Sequence, residues 1–160
     1  ESMMEKTAAV QASLPNLAVR LLYDLLLLLA VGAMASGALL MISPDGGIMH
    51  MPLSMIQGSP FACFFIPGLI LFTFLGVFPA LVAYGLRMTP GWGWAEWFNP
   101  FKVYHWSWVG SLVAGVIVLI WLSIELLWIG FSFLHALYYA WGGVIIILAL
   151  LPVVRKTFRQ

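Results

Sequence analysis

The chain of 160 residues is 63% hydrophobic and only 8% charged, with a net charge of +1 at neutral pH, and its mean hydropathy of +1.04 lies far from that of a water-soluble globule. The few basic residues leave no cationic surface for nucleic acid. The single cysteine, Cys63, excludes an internal disulfide and any thiol–disulfide relay that needs two thiols in one chain.

Four apolar runs, residues 21–42, 61–86, 109–131 and 133–154, each exceed the roughly 20 helical residues that cross a hydrocarbon layer about 30 Å thick. A spanning barrel needs strands of alternating polarity, which these Leu-, Ile-, Val- and Phe-rich runs are not. The expected fold is therefore an all-α membrane protein, a single domain over 1–160 built as a bundle of four transmembrane helices, with the lipid bilayer as its solvent. Helices are expected at about 14–42, 61–87, 106–131 and 133–155, with an outer loop at 43–60 and a loop at 88–105. Charge placement supplies the orientation. Lys6 and Arg20 precede the first run, Arg87 and Lys102 fall between the second and third, and Arg155, Lys156 and Arg159 follow the fourth. All seven lie on one side, so the positive-inside rule predicts cytoplasmic N- and C-termini.

In the first helix, Ser13 is the expected N-cap and Pro15 sits in the first turn, where a missing N–H costs nothing. Arg20 and Asp24, four residues apart, are expected to form an interfacial ion pair. Asp24 also interrupts what would otherwise read as the apolar core of a signal peptide. Gly32/Ser36 and Ala33/Gly37 place small residues at i, i+4, where another helix can approach closely.

The outer loop carries Asp45, the triplet Met49-His50-Met51 and Gln57. Thioether and imidazole ligands favour Cu(I), so His50 with Met49 and Met51 forms a weak candidate metal set; Met is equally a filler at loop–helix contacts. Residues 52–57, stopped by Gly58, read as a short helix lying along the outer interface. Ser59-Pro60 has the form of a helix opening. In the second helix, Pro67 and Pro79 each remove one backbone bond, and kinks are expected at both.

Residues 88–108 hold Trp92, Trp94, Trp97, Trp106 and Trp108. Indole prefers the headgroup level, so this segment is expected to be a Trp-rich interfacial loop or a short in-plane helix on the cytoplasmic side.

Glu125, in "LIWLSIELLWIGF", lies about 25 Å along the third helix from Trp108 at 1.5 Å per residue. A carboxylate at such a position costs roughly 2.5–3.5 kcal/mol on insertion scales and must be neutral, partnered or wet. His135, in "FSFLHALYY", lies equally far below the turn near residue 130, so the two side chains can meet across the hairpin. Burial opposes both charged forms and mutual attraction supports both, so a meeting pair is expected to share one proton near neutral pH. The plain structural alternative is a Glu125 that bonds a hydroxyl such as Ser36, Ser123 or Tyr138 and clips helices together. Glu125, His135, Asp45, His50 and Gln57 make up the candidate ligand or proton site on the outer side.

The stretches "MPLSMIQGSPFACFFIPGLILFTFLGVFPALVA" and "IELLWIGFSFLHALYYAWGGVIIILALLPVVR" resemble small, uncharacterised four-helix integral membrane proteins found widely in bacteria. The resemblance covers about half the chain and rests on Pro-Leu-Ser, Gly-Ser-Pro-Phe, Ile-Pro-Gly-Leu and the Glu-to-Pro run of the last hairpin. It implies four helices, both ends inside, and a bacterial inner membrane. No activity and no site residue come with it.

The function expected from these residues is non-enzymatic: an accessory or assembly subunit, as a homo-oligomer or within a larger membrane complex, or a binder of a small hydrophobic ligand in the outer half of the bundle. The alternative is a proton-coupled carrier working through Glu125 with His135. A further alternative is a metal- or cofactor-binding protein using His50, His105 or His135. No catalytic residue and no cofactor is predicted.

Overall fold

The first apolar run folds into helix α1 (Met3–Ile42), followed by α2 (Phe65–Phe72), α3 (Phe78–Met88), α4 (Gly93–Trp97), α5 (Trp106–Glu125), α6 (Phe133–Leu150) and α7 (Pro152–Thr157). The computed structural model describes the backbone of residues 2–160 and the side chains of residues 2–5 and 17–160. The described residues are helical with no strand; Tyr104 and Arg159 form one isolated bridge. Four segments are long and apolar enough to cross a membrane: Leu17–Ile42, Phe65–Met88, Trp106–Glu125 and Phe133–Leu150. This makes the chain an all-helical, multi-pass membrane protein.

Several boundaries differ from expectation. Helix α1 begins at Met3 rather than near residue 14, because Ser2 and Glu5 form a reciprocal capping box that satisfies two orphan N–H groups; the expected cap side chain, Ser13, lies outside the described side chains. The second span starts at Phe65, not 61, so Pro67 falls in the first turn of α2 and breaks no helical bond. Pro79 is different. Just before it the helix widens into a π turn, Thr73–Val77, where the Phe78 N–H bonds the Thr73 carbonyl, so the chain absorbs the proline as a change of register rather than a broken helix. The third span ends at Glu125, not 131. The fourth breaks at Leu151, because Pro152 opens the separate turn of α7 and carries no N–H to continue the ladder. In place of a short helix at 52–57, the loop holds one 3-10 turn, Leu53–Ile56.

The four spans form a ring in which the first packs on the second and fourth, and the third packs on the same two. Leu22, Leu26, Leu29 and Ala33 of α1 meet Val82, Ala83 and Leu86 of α3, Ala114, Val118 and Leu122 of α5, and Ile145 and Ala149 of α6 in one core. The outward faces are equally apolar: Leu28, Ile120 and Ile147 are 60%, 54% and 62% exposed, a surface suited to lipid rather than water. Of the two small-residue pairs, only Ala33/Gly37 sits in a seam. A Cβ on Gly37 would lie 2.6 Å from the Gly68 carbonyl oxygen and 2.7 Å from the Phe72 nitrogen, while Gly32 has nothing within 4 Å.

Indole N–H groups tie the ring together. Trp108 Nε1 donates to the Ala149 carbonyl at 2.7 Å, one of the four carbonyls that the end of α6 leaves without a helical partner. Trp141 Nε1 donates to Leu25 at 3.1 Å. At the end of the bundle that carries Arg20, Arg87 and α7, the basic end, a polar plug closes the structure. Buried Asn99 donates to Glu96 (3.0 Å) and the Tyr104 carbonyl (2.8 Å) and accepts from the Phe101 N–H (3.0 Å). Glu96 accepts from the Trp106 N–H at the start of α5, where the helix dipole favours a carboxylate. Lys102 Nζ donates to the Glu96 carbonyl. The C-terminal Gln160 reaches Glu96 and the Tyr104 carbonyl.

A candidate ligand cleft at the loop end

The opposite end is closed by the segment between α1 and α2. Asp45 organises its first turn, accepting from the Ser43 hydroxyl at 2.6 Å and the Gly47 N–H at 2.9 Å; these bonds hold its carboxyl below the ordinary 3.8. Gly46 takes φ +79°, a left-handed conformation natural to glycine, and a Cβ there would collide with the Met51 carbonyl. The Phe64 N–H returns to the Pro44 carbonyl at 2.8 Å, closing the loop on itself. Met49, Met51, Met55 and Phe61 pack on a small cluster of Leu40, Ile56 and Phe64. The triplet thus divides its work: both methionines serve as apolar filling, and His50, left-handed at φ 54°, stands exposed.

Beneath this loop the second and third spans diverge. Helix α5 packs on α3 and on the π turn rather than on α2, so a cleft opens between α2 and the far half of α5. It holds a cavity of about 50 Å³ lined by Leu40 of α1, Pro67 and Leu71 of α2, Trp121 and Glu125 of α5, and Met51, Ile56 and Phe61 of the loop segment. Phe61 meets Trp128 edge-on, with ring centres 6.1 Å apart, closing the outer rim.

Glu125 ends α5 and His135 lies in the first turn of α6. The hairpin between them brings Glu125 Oε2 to 3.4 Å from His135 Nε2, with His135 buried and Glu125 half-exposed. That separation makes an ion-pair contact but not an aligned hydrogen bond, so Nε2 is left without a hydrogen-bond partner. On its other edge, His135 Nδ1 lies 3.0 Å from the hydroxyl of Ser132, the residue preceding α6. Trp121, one turn before Glu125, brings its buried indole N–H beside the Glu125 carboxyl without the alignment of a full hydrogen bond. Unpaired buried donors are uncommon and invite a ligand or water.

The structure therefore joins Glu125 to His135 but leaves Asp45, His50 and Gln57 exposed and away from the cavity lining. Among the described residues, no group of three or more His, Cys, Asp and Glu side chains gathers. The hydroxyl clip takes another form: Ser123 bonds Tyr139 at 2.8 Å, not Glu125. His105 is spent on structure, with Nε2 2.9 Å from the Pro90 carbonyl and Nδ1 2.7 Å from the Ser107 hydroxyl. The expected Arg20–Asp24 pair does not form among the described residues. Both side chains are exposed, where the few tenths of a kcal/mol such a pair offers do not fix two flexible chains. Trp121 was not among the sequence candidates; its spacing of four from Glu125 is the signal that identifies it. No protein-family model matches the chain, and no curated protein or solved structure matches it.

Proposed function

We propose that this is a bacterial inner-membrane protein with both termini in the cytoplasm, which binds a small amphipathic molecule in the cleft between α2 and α5. The observation that carries the reading is an apolar cleft with one carboxylate, that of Glu125, among its lining residues and His135 in contact with it. Its lining is otherwise apolar, Trp121 lies beside Glu125 in it, and His135 Nε2 stands 3.4 Å from the Glu125 carboxyl. The enclosed part holds only the tip of a ligand, the end that meets Glu125, since whole-molecule pockets run to about 300–1,000 Å³. The apolar remainder lies along the open cleft toward the lipid. The orientation rests on the placement of all seven Lys and Arg residues. The exposed Trp94, Trp97, Phe98 and Phe101 at the basic end suit a headgroup-level belt on the cytoplasmic side.

Native mass spectrometry of the protein extracted from its own membrane tests this reading. A retained small molecule that is lost in Glu125→Gln and Trp121→Phe supports it. Bare protein, as monomer or as oligomer alone, overturns it, and oligomers would instead favour an assembly subunit. The 3.4 Å contact between Glu125 and His135 favours one second reading, a proton-coupled carrier. Proton-linked flux in reconstituted vesicles, equal in wild type and Glu125→Gln or absent from both, rules that out.

A further inference from the structure

At the basic end, remote from the cleft, a second concavity of about 400 Å³ opens between the first and second spans, with α7 at its edge. Its polar lining is Arg20, Tyr23 and Asp24 from α1, Arg87 from α3 and Thr157 from α7. Arg20 immediately precedes the first apolar run, residues 21–42, and Arg87 immediately follows the second, residues 61–86. Both guanidinium groups therefore stand at the level where lipid phosphates lie. Among the described residues, neither belongs to an ion pair; Arg87 rests over the Tyr23 ring at 5.9 Å, a cation–π contact that orients it. Asp24 shares the groove without pairing to either arginine.

Two unpaired cations and one unpaired anion around a groove at a bilayer face match a headgroup that carries a phosphate and an ammonium. We propose that this groove is a binding site for a phosphoethanolamine-type lipid headgroup, its phosphate between Arg20 and Arg87 and its ammonium on Asp24. Arginine forks match phosphate oxygens, the Tyr23 hydroxyl can donate to the same oxygens, and basic pockets between membrane helices on the cytoplasmic side are a recurrent place for lipid headgroups. Asp24 sets the selectivity. A purely anionic headgroup meets its repulsion, whereas an aminophospholipid neutralises it. Asp24, a costly residue near a membrane face, thereby gains a partner that Arg20 does not supply.

The test uses the full chain in a nonionic detergent, offered equal amounts of phosphatidylethanolamine, phosphatidylglycerol and diacylglycerol, and read by native mass spectrometry. Phosphatidylethanolamine is expected to be retained preferentially, and Arg20→Gln or Arg87→Gln each lowers its retention by about fivefold. Asp24→Asn moves the preference toward phosphatidylglycerol. Lys156→Gln, which removes an exposed charge outside the groove, leaves retention unchanged. Soluble glycerophosphoethanolamine or inorganic phosphate at the same concentration should not displace the lipid; if either does, the site belongs to a free phosphate ester and the lipid assignment falls. Equal retention of diacylglycerol, or loss in Lys156→Gln as large as in the arginine variants, overturns the proposal. Arg87→Lys, which preserves charge, keeps most of the retention and separates lost binding from lost folding.

Discussion

Glu125 and His135 face each other at 3.4 Å across the hairpin of the third and fourth spans, one at the C-terminal end of α5 and the other in the first turn of α6. Carboxylates are disfavoured at helix C-termini and imidazolium groups at N-termini, so neither helix stabilises an isolated charge here and each side chain depends on the other. Removing one is expected to expose that dependence. Glu125→Ala and His135→Ala should each destabilise the protein by about 1–3 kcal/mol, and the double variant by less than their sum, with a coupling of about 0.5–3 kcal/mol. Reversible unfolding in detergent measures all three. Additive losses would mean that the contact carries no energy.

The seam between the first and second spans makes a sharper test of packing. Gly37 leaves no room for a side chain, and the atoms in the way, Gly68 O and Phe72 N, are backbone and cannot rotate aside. Gly37→Leu is expected to cost at least about 1–3 kcal/mol, the usual penalty for overpacking. Gly32→Leu, five residues earlier and with open space around it, should leave the melting temperature unchanged. Equal effects would contradict the assignment of Ala33/Gly37 as the buried face.

These two cases mark how far the sequence could be read. The spans were legible because the length and continuity of apolar runs are strong one-dimensional signals. Glu125 and His135 were legible as well, because equal distances from a hairpin turn place residues side by side whatever the packing. The Arg20–Asp24 pair does not form because i, i+4 spacing states proximity and not preference, and an exposed pair gains too little to fix two flexible side chains. Pro67 failed for a different reason: the effect of a proline depends on whether its helix has already begun, and the start at Phe65 is set by the loop that folds back onto Pro44. The cleft between α2 and α5 arises because α5 packs on α3 and the π turn instead, a three-dimensional arrangement that no spacing rule carries.

At the basic end, Asn99 is 4% exposed and makes three hydrogen bonds that join α4 to the residues leading into α5. Asn99→Ala leaves the Phe101 N–H and the Tyr104 carbonyl without this partner. The expected loss is about 1–3 kcal/mol, together with faster hydrogen exchange at the Phe101 amide. Exchange unchanged at Phe101 would show that solvent already reaches this plug.

The Asp45 turn should respond to acid. Its carboxyl is held below the ordinary 3.8 by the Ser43 hydroxyl and the Gly47 N–H, so folding of the turn is favoured while the group is charged. The sign follows from linkage: the contribution is fully present above 3.8 and is lost as pH falls through the lower folded value. Protection of the Gly47 amide against hydrogen exchange is therefore expected to hold from neutral pH down to about 4 and to fall below it, beyond the intrinsic pH dependence of exchange. Asp45→Asn should show the reduced protection at neutral pH already. A wild-type profile that parallels Asp45→Asn throughout would remove the carboxylate from any role in the turn.

Orientation in the membrane is open to direct chemical test, because the chain has one cysteine. Cys63 lies half-buried in the loop segment, so Cys63→Ser provides a thiol-free background. Gln57 is exposed on the loop and Lys156 is exposed in α7, at opposite ends of the bundle. With both termini cytoplasmic, a membrane-impermeant maleimide added to intact cells whose outer barrier has been opened should label Cys63→Ser/Gln57→Cys and spare Cys63→Ser/Lys156→Cys. Disrupting the inner membrane should then expose the second site. The reverse pattern would set the seven basic residues on the outer side, against the rule that gave the orientation, and would move the groove at Arg20 and Arg87 to the outer leaflet. Labelling of both sites in intact cells would mean either a leaky preparation or a mixed topology, which Lys156→Cys in sealed right-side-out vesicles distinguishes, since only a mixed topology leaves a labelled fraction there.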